Sequence, residues 1–478
     1  MGAEISANLP LPPLLAGAGE SFGTDGGRTA VISDQGRSPW AELLDGVNHL
    51  ARQLEGEADG GPIGILLPSG RDFLTAFLAA STLGVPACTL HPDWAAPELE
   101  AAIEDAGLSL VFTYDGTVRR PTVFRTNRSS SATDDDPVFY IGFTSGTSGR
   151  PKPFLRRQKS WSSSFTPAGE LFSVEAGDLV YLPGSLQHSH FLFGAVFALN
   201  RGAAIRMFGR FDAHRLAGEL ASERSGVLYL VPTMLIDLDR LDGEPFEGVH
   251  SVVISGSKME AHHWAITRRL FPAATVGELY GASELSFVTV NTEGERGPGY
   301  VGRPFPGVEV EIRDADGNPT HGTGLVHVRS PYLFEGYLEG GKAVSPIGAD
   351  GFVSVGDVGS LDDCGLSLSG RASNMLITGG KNVHPEEVEA MLAGHPAIRE
   401  CVVAGLPHPR WGEKIVAFVV PAGTGEELEA RALRSHLEGQ VASYKIPKRW
   451  FLIEALPRTR AGKTDRSRDR LLEAATEI

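Results

Sequence analysis

Two short apolar runs flank a segment of helical periodicity between residues 62 and 90. Pro62–Leu67 (PIGILL) and Val85–Leu90 read as strands, and Asp72–Leu83 carries its apolar residues at helical spacing. A strand, a helix and a second strand in this order predict a parallel α/β unit. Parallel neighbours cannot be joined by a tight turn, so the chain must cross over between them. The texture returns at Val227–Val231 (VLYLV), at Val252–Ile254 after a helical stretch, and at Val276–Tyr280. Trp40–Leu54 is a further helical pattern, and the chain shows no internal repeat.

Near Tyr300 the pattern changes. Val308–Ile312, Leu325–Arg329 and Leu366–Ser369 read as short strands between Gly, Pro and Asp turns. Beyond Arg371 it is mixed: a helix at Pro385–Leu392, strands at Glu400–Ala404 and Lys414–Val420, and a helix at Glu426–Leu437. The last stretch, about 105 residues from position 374, is long enough to fold as a small α+β domain. At 478 residues the chain exceeds one compact core, so two or three domains are expected. Asn127–Asp136 (NRSSSATDDD) reads as an exposed loop.

The formal net charge is −16. Such a surface repels nucleic acid and anionic membranes, so a polyanionic ligand must be met by local donors. The three cysteines, Cys88, Cys364 and Cys401, are far apart and suggest neither a disulfide framework nor a metal site. The N-terminal apolar stretch is broken by prolines and lacks a preceding basic region. No apolar run approaches the ~18 residues that a membrane span needs. A cytoplasmic location without a membrane span is expected.

Phe143–Phe154 reads FTSGTSGRPKPF. Thr144, Ser145, Thr147 and Ser148 cluster around Gly146 and Gly149, with Lys152 just beyond. Glycines let backbone N–H groups face an anion, hydroxyls add donors and lysine adds charge. The cluster follows a strand (Val138–Phe143), as a triphosphate-binding loop requires, yet it is not a Walker loop. A Ser/Gly-rich surface loop has the same composition.

This segment resembles the phosphate-binding loop of the adenylate-forming superfamily, which includes short bacterial acyl-CoA synthetases. Further motifs of that family follow in its order, and the resemblance covers about residues 20–470. Tyr280–Glu284 (YGASE) resembles Y-G-x-T-E. The resemblance implies that Tyr280 lies against adenine and that Ser283 is near the phosphates. It implies that Glu284, with Thr144, holds Mg²⁺, a hard cation suited to carboxylate and phosphate oxygen. Glu278, Leu279, Gly281 and Ala282 are implied along the nucleotide, with Ser257 and Lys258 near the purine. Asp357, in VGDVG, is implied to receive the ribose hydroxyls, with Arg371 also on the ribose. Lys445, in YKIP, joins the implied nucleotide-binding set. Lys463, in PRTRAGKTDR, matches the catalytic lysine. Gly379 and Gly380 are implied to face the CoA thiol, and Ser373 matches the hinge. His188, in LPGSLQHSHFLFG, is implied to line the acid pocket with Phe191, Ser255, Gly256 and Gly281, and it is counted with Lys463 and Glu284 as catalytic.

The fold implied is a large multi-subdomain N-terminal domain (1–372), with α/β sheets and a barrel-like β part, and a small mobile α+β domain (373–478). The function implied is activation of a carboxylic acid by ATP through acyl-AMP, then transfer to coenzyme A by domain alternation. A homodimer would fit the family. Pro153, Ser257, Lys258, Leu325 and Ser373 depart from the family pattern. They open a second reading: an enzyme that mainly thioesterifies a preformed acyl-adenylate supplied by a partner adenylating enzyme. A third reading loads a carrier-protein phosphopantetheine. A non-catalytic nucleotide binder is a reading of another class, opposed by the joint presence of Lys463, Glu284, Asp357 and Arg371. His188 and His190 make a weak metal pair, and His262 and His263 read as surface residues of a helix.

Overall fold

The computed structural model describes residues 12–18, 27–55, 60–108, 110–113, 118–119, 136–145, 151–222, 226–297, 299–378, 381–409, 411–423, 428–458 and 464–478. Three sheets are formed among them. The largest runs through Glu309–Arg313, Gly324–Arg329, Asp357–Asp362, Gly365–Arg371, Tyr300–Pro304, Ser286–Asn291, Thr275–Ala282, Val249–Ile254, Gly226–Leu230, Leu179–Leu182, Ala204–Met207, Thr29–Ser33 and Gly36–Pro39. From Thr275–Ala282 to Thr29–Ser33 every pairing is parallel. Before that the strands are antiparallel, which is where the sequence turns β-rich. The β-rich segment thus continues the same line of hydrogen-bonded neighbours.

The second sheet holds Ile63–Leu66 between the parallel neighbours Ala87–Thr89 and Leu110–Thr113. Ala87–Thr89 also pairs in parallel with Val138–Ser145, which turns back into the antiparallel strand Pro151–Arg157. The crossover helix Arg71–Thr82 buries Phe73, Leu74, Phe77 and Leu78. Trp40–Glu55 buries Trp40, Leu43, Leu44, Val47, Leu50, Ala51 and Leu54, the single stripe expected of a helix lying on a sheet. Ser189–Asn200 is apolar all round and buried from Phe191 to Leu199, as a central helix should be. The sheet strands and these helices share one large core.

The third sheet draws its strands only from residues 376–477. Its two faces carry separate clusters, one around Val388, Leu392, Ala417 and Leu433 and one around Val402, Phe418 and Phe451. Glu426–Leu437 was expected as helix; the described helix is Ala430–Leu437, and 424–427 lie outside the described residues. Ser373 is exposed in the short 3₁₀ turn Ala372–Asn374 that leads into this domain. Ala372 N–H donates to Gly356 O at 2.8 Å, and Asn374 Nδ2 donates to Glu386 Oε1 at 2.7 Å, so both sides hold the turn.

Candidate active site

The parallel strands end on one side, and the motif residues follow those ends. His188 follows Leu179–Leu182, Ser255–Lys258 follow Val249–Ile254, and Tyr280–Glu284 close Thr275–Ala282. Ligands of open α/β sheets bind in the crevice outside such carboxyl ends. Gly281 is required there, since a Cβ would lie 1.9 Å from Ser286 O in the adjoining strand. Gly256 has φ +97°, a backbone region that favours glycine.

Asp357 opens a strand and is buried. Its Oδ2 accepts the Tyr280 hydroxyl at 2.6 Å and its Oδ1 accepts Arg371 Nε at 3.0 Å. Burial and this carboxylate hold the Tyr280 phenol well above its ordinary pKa. Each carboxylate oxygen has a second acceptor site, so two further hydroxyl donors can still be received.

Glu284 is also buried. Its carbonyl accepts Phe334 N–H at 2.9 Å and its Oε1 accepts the Tyr337 hydroxyl at 3.0 Å. The Tyr337 ring lies under Lys152, whose Nζ is 3.8 Å from the ring centroid and 2.9 Å from Glu339 Oε1. Tyr337 thereby joins the hairpin of Val138–Ser145 and Pro151–Arg157 to the Glu284 turn. Burial and the adjacent Glu284 raise its pKa, so it stays a hydrogen-bond donor. Thr144 faces Lys152 across the hairpin. Gly146, Thr147, Ser148, Gly149, Gly379, Gly380 and Lys463 lie outside the described residues, as does the Ser145 side chain.

Several expected residues are otherwise engaged. Glu278, implied along the nucleotide, is 2% exposed and accepts Met259 N–H at 2.6 Å and Asn291 Nδ2 at 3.0 Å. Burial pushes its pKa up to about 7. It ties the 255–260 segment to its own strand. Lys258 sits 3.5 Å from Glu260 Oε2, and Ser255 Oγ donates to Leu279 O at 3.1 Å. Lys445 donates to both Glu387 oxygens at 2.6 Å within the small domain. Pro153 lies in the hairpin strand opposite Phe143, so its missing N–H falls outside the loop tip.

Around His188, the His91 ring stands 6.0 Å away, and Trp94 meets Phe143 edge-on at 5.1 Å. His190 points elsewhere, with Nε2 3.1 Å from Leu230 O, and burial lowers its pKa to about 4. Phe191 is buried against His190 and the small residue Gly184. No three metal-ligating side chains gather among the described residues. His263 is buried rather than a surface residue, its Nδ1 accepting Glu260 N–H at 3.0 Å. Sequence reasoning also passed over Tyr337 and the buried Arg156. Arg156 carried no local signal, since its strand PKPFLRR also holds Lys152 and Arg157 and only the fold buries the middle cation.

The hairpin and the Glu284 turn lie within a segment that matches a known family. The model of the AMP-binding enzyme family matches residues 20–338, and that of the AMP-binding enzyme C-terminal domain matches residues 387–463. The chain is an AMP-binding enzyme. It is 33% identical over 467 residues to an uncharacterized acyl–CoA ligase, YhfT, of Bacillus subtilis, covering 93% of this chain and 95% of that one. It is 28% identical to the indoleacetate–CoA ligase of Aromatoleum aromaticum, covering 95% and 96%. Among solved structures, the ATP-bound RpMatB-BxBclM chimera B3 superposes with TM-score 0.82 at 25% identity, covering 96% of this chain and 98% of that one. The amide bond synthetase McbA of Marinactinospora thermotolerans superposes with TM-score 0.83 at 25% identity, covering 96% and 100%. No helix among the enzyme's described residues is long and apolar enough to cross a membrane.

Proposed function

We propose that this AMP-binding enzyme is an acid–thiol ligase. It joins a carboxylic acid to ATP as an acyl-adenylate and then transfers the acyl group to coenzyme A. The carrying observation is Asp357, a buried carboxylate fixed on both oxygens by Tyr280 and Arg371 beside the Glu284 turn. Such a group suits a ribose diol, and in this setting the nucleotide's phosphates run toward the hairpin of Thr144 and Lys152.

In the first step a carboxylate oxygen bonds to the α-phosphorus, the bond to the bridging oxygen breaks, and pyrophosphate leaves. Positioning and charge neutralisation supply most of the acceleration. Lys463 is assigned to the carboxylate and α-phosphate, and His188 to the acid. Glu284 and Thr144 fit Mg²⁺, since both offer hard oxygen and such a cation takes its remaining oxygens from phosphate and water. Bound there, Mg²⁺ would neutralise charge on the phosphates. In the second step the CoA thiol gives up its proton to solvent, its sulfur bonds to the acyl carbon, and AMP leaves with the anhydride oxygen. The domain from residue 373 would turn about Ser373 between the steps, withdrawing Lys463 and presenting Gly379–Gly380.

Two observations weigh against weakened adenylation. Pro153 lies in a strand rather than at the loop tip, and Lys258 is drawn to Glu260. The deciding experiment offers a panel of acids and measures acid-dependent ATP–pyrophosphate exchange, with acyl-AMP and acyl-CoA followed separately by mass spectrometry. Exchange absent for every acid, with rapid thioesterification of added acyl-AMP, would replace this reading by the half-reaction one. Product on a holo-carrier protein and none on CoA would change the acceptor.

A further inference from the structure

Arg156 is 1% exposed, and its hydrogen bonds run to neutral oxygens. Nε and Nη2 donate to Ser283 O at 3.1 and 2.6 Å, and Nη1 donates to Tyr332 O at 2.9 Å and Ser160 Oγ at 3.1 Å. Burial lowers its pKa to about 10, opposed by the neighbouring Tyr140 and by the Glu284 carboxylate. Enclosing a guanidinium is costly, and neutral oxygens compensate it less well than a carboxylate would. The targets it reaches are specific. Ser283 immediately precedes Glu284, and Tyr332 begins the segment whose Phe334 and Tyr337 bind the Glu284 carbonyl and carboxylate. Arg156 itself lies on the returning strand of the phosphate hairpin.

We propose that Arg156 is a positioning residue for Glu284, setting the separation between the phosphate hairpin and the carboxylate that faces the nucleotide's metal and phosphates. This rests on the ligase reading. The planar fork serves three acceptors at once, and a lysine ammonium cannot reproduce that geometry. A merely structural arginine would lower stability and both half-reactions alike. A positioning arginine acts on the ATP half.

The test uses Arg156→Lys and Arg156→Met in the full chain, with Arg157→Gln as control, since the neighbouring Arg157 instead pairs with Glu335 at 2.7 Å. Mn²⁺ binding with a non-hydrolysable ATP analogue is read by paramagnetic resonance, beside pyrophosphate exchange, thioesterification of synthetic acyl-AMP, and the urea midpoint. Arg156→Lys is expected to weaken Mn²⁺ binding and exchange kcat/KM about tenfold, leaving thioesterification within about threefold. Unchanged Mn²⁺ affinity in a folded variant overturns the proposal, as does an equal loss in both half-reactions. Should neither variant fold, Ser160→Ala, which removes one acceptor from Nη1, decides: Mn²⁺ binding weakened about twofold at an unchanged urea midpoint supports the proposal, and no change overturns it. A wild-type protein without acid-dependent exchange would sink the ligase reading instead, and the Mn²⁺ titration would still decide Arg156.

Discussion

Tyr280 donates its hydroxyl to Asp357 at 2.6 Å across 77 residues of sequence, while Arg371 holds the other oxygen of the same carboxylate. A hydrogen bond to a charged partner is worth about 1.5–3 kcal/mol, roughly ten- to hundredfold. Tyr280→Phe keeps the ring and removes only the donor, so kcat/KM for ATP in pyrophosphate exchange should fall about tenfold. An unchanged value would mean that Asp357 is held well enough without it.

Asp357→Asn should remove one acceptor from the proposed ribose site. Exchange with ATP should fall about a hundredfold, and discrimination against 2′-deoxy-ATP should shrink with it. If discrimination persists at the wild-type ratio, the ribose hydroxyls bind elsewhere.

Lys463→Ala should separate the two proposed steps. Acyl-AMP formation from acid and ATP should drop at least about a hundredfold, while thioesterification of added acyl-AMP continues. Unchanged thioester formation from free acid and ATP would refute the lysine's assigned role.

Glu278 gives a pH signature. Its carboxyl titrates near 7 in the fold because burial disfavours the charge, against an ordinary value of 4.5. The folded state therefore binds the proton more tightly than the unfolded state. Stability from this group is full below pH 4.5 and declines as the pH rises through about 7. In urea titrations, wild type should lose stability relative to Glu278→Gln between pH 5 and 7.5, on the order of 1 kcal/mol or more. A parallel pH dependence of the two proteins would exclude the shift.

The small domain holds an ion pair that is paired on both carboxylate oxygens. Arg466 donates to both oxygens of Glu389 at 2.7 and 2.6 Å, and Glu389 also accepts Val403 N–H at 2.6 Å. Glu389→Gln leaves a guanidinium poorly matched and should cost about 2–3 kcal/mol. The urea transition reported by Trp450, which is buried in that domain's core, would show it. A loss under half that size would mean that solvent takes over the pairing.

The elements and the site were not equally legible. Helix Trp40–Glu55 and strand Val249–Ile254 follow periodicity, which neighbouring residues alone determine. The order of YGASE, VGD and PRTRAGKTDR was equally plain because each motif is a contiguous string. Tyr337 was missed because nothing near it announces that it joins Lys152 to Glu284. Lys445 and Glu278 stand in the right motifs, but their charges meet Glu387 and the Met259–Asn291 pair.

The amino-acid order by itself determined the α/β class, the small terminal domain and the kinds of chemistry gathered at each motif. Backbone periodicity, glycine freedom and donor type are local properties. Only the tertiary structure decided which partners each carboxylate meets. It also placed Arg156 behind Glu284, 127 residues from its Ser283 acceptor. A buried polar group must be satisfied by whatever folding brings beside it, and those partners lie far away in sequence.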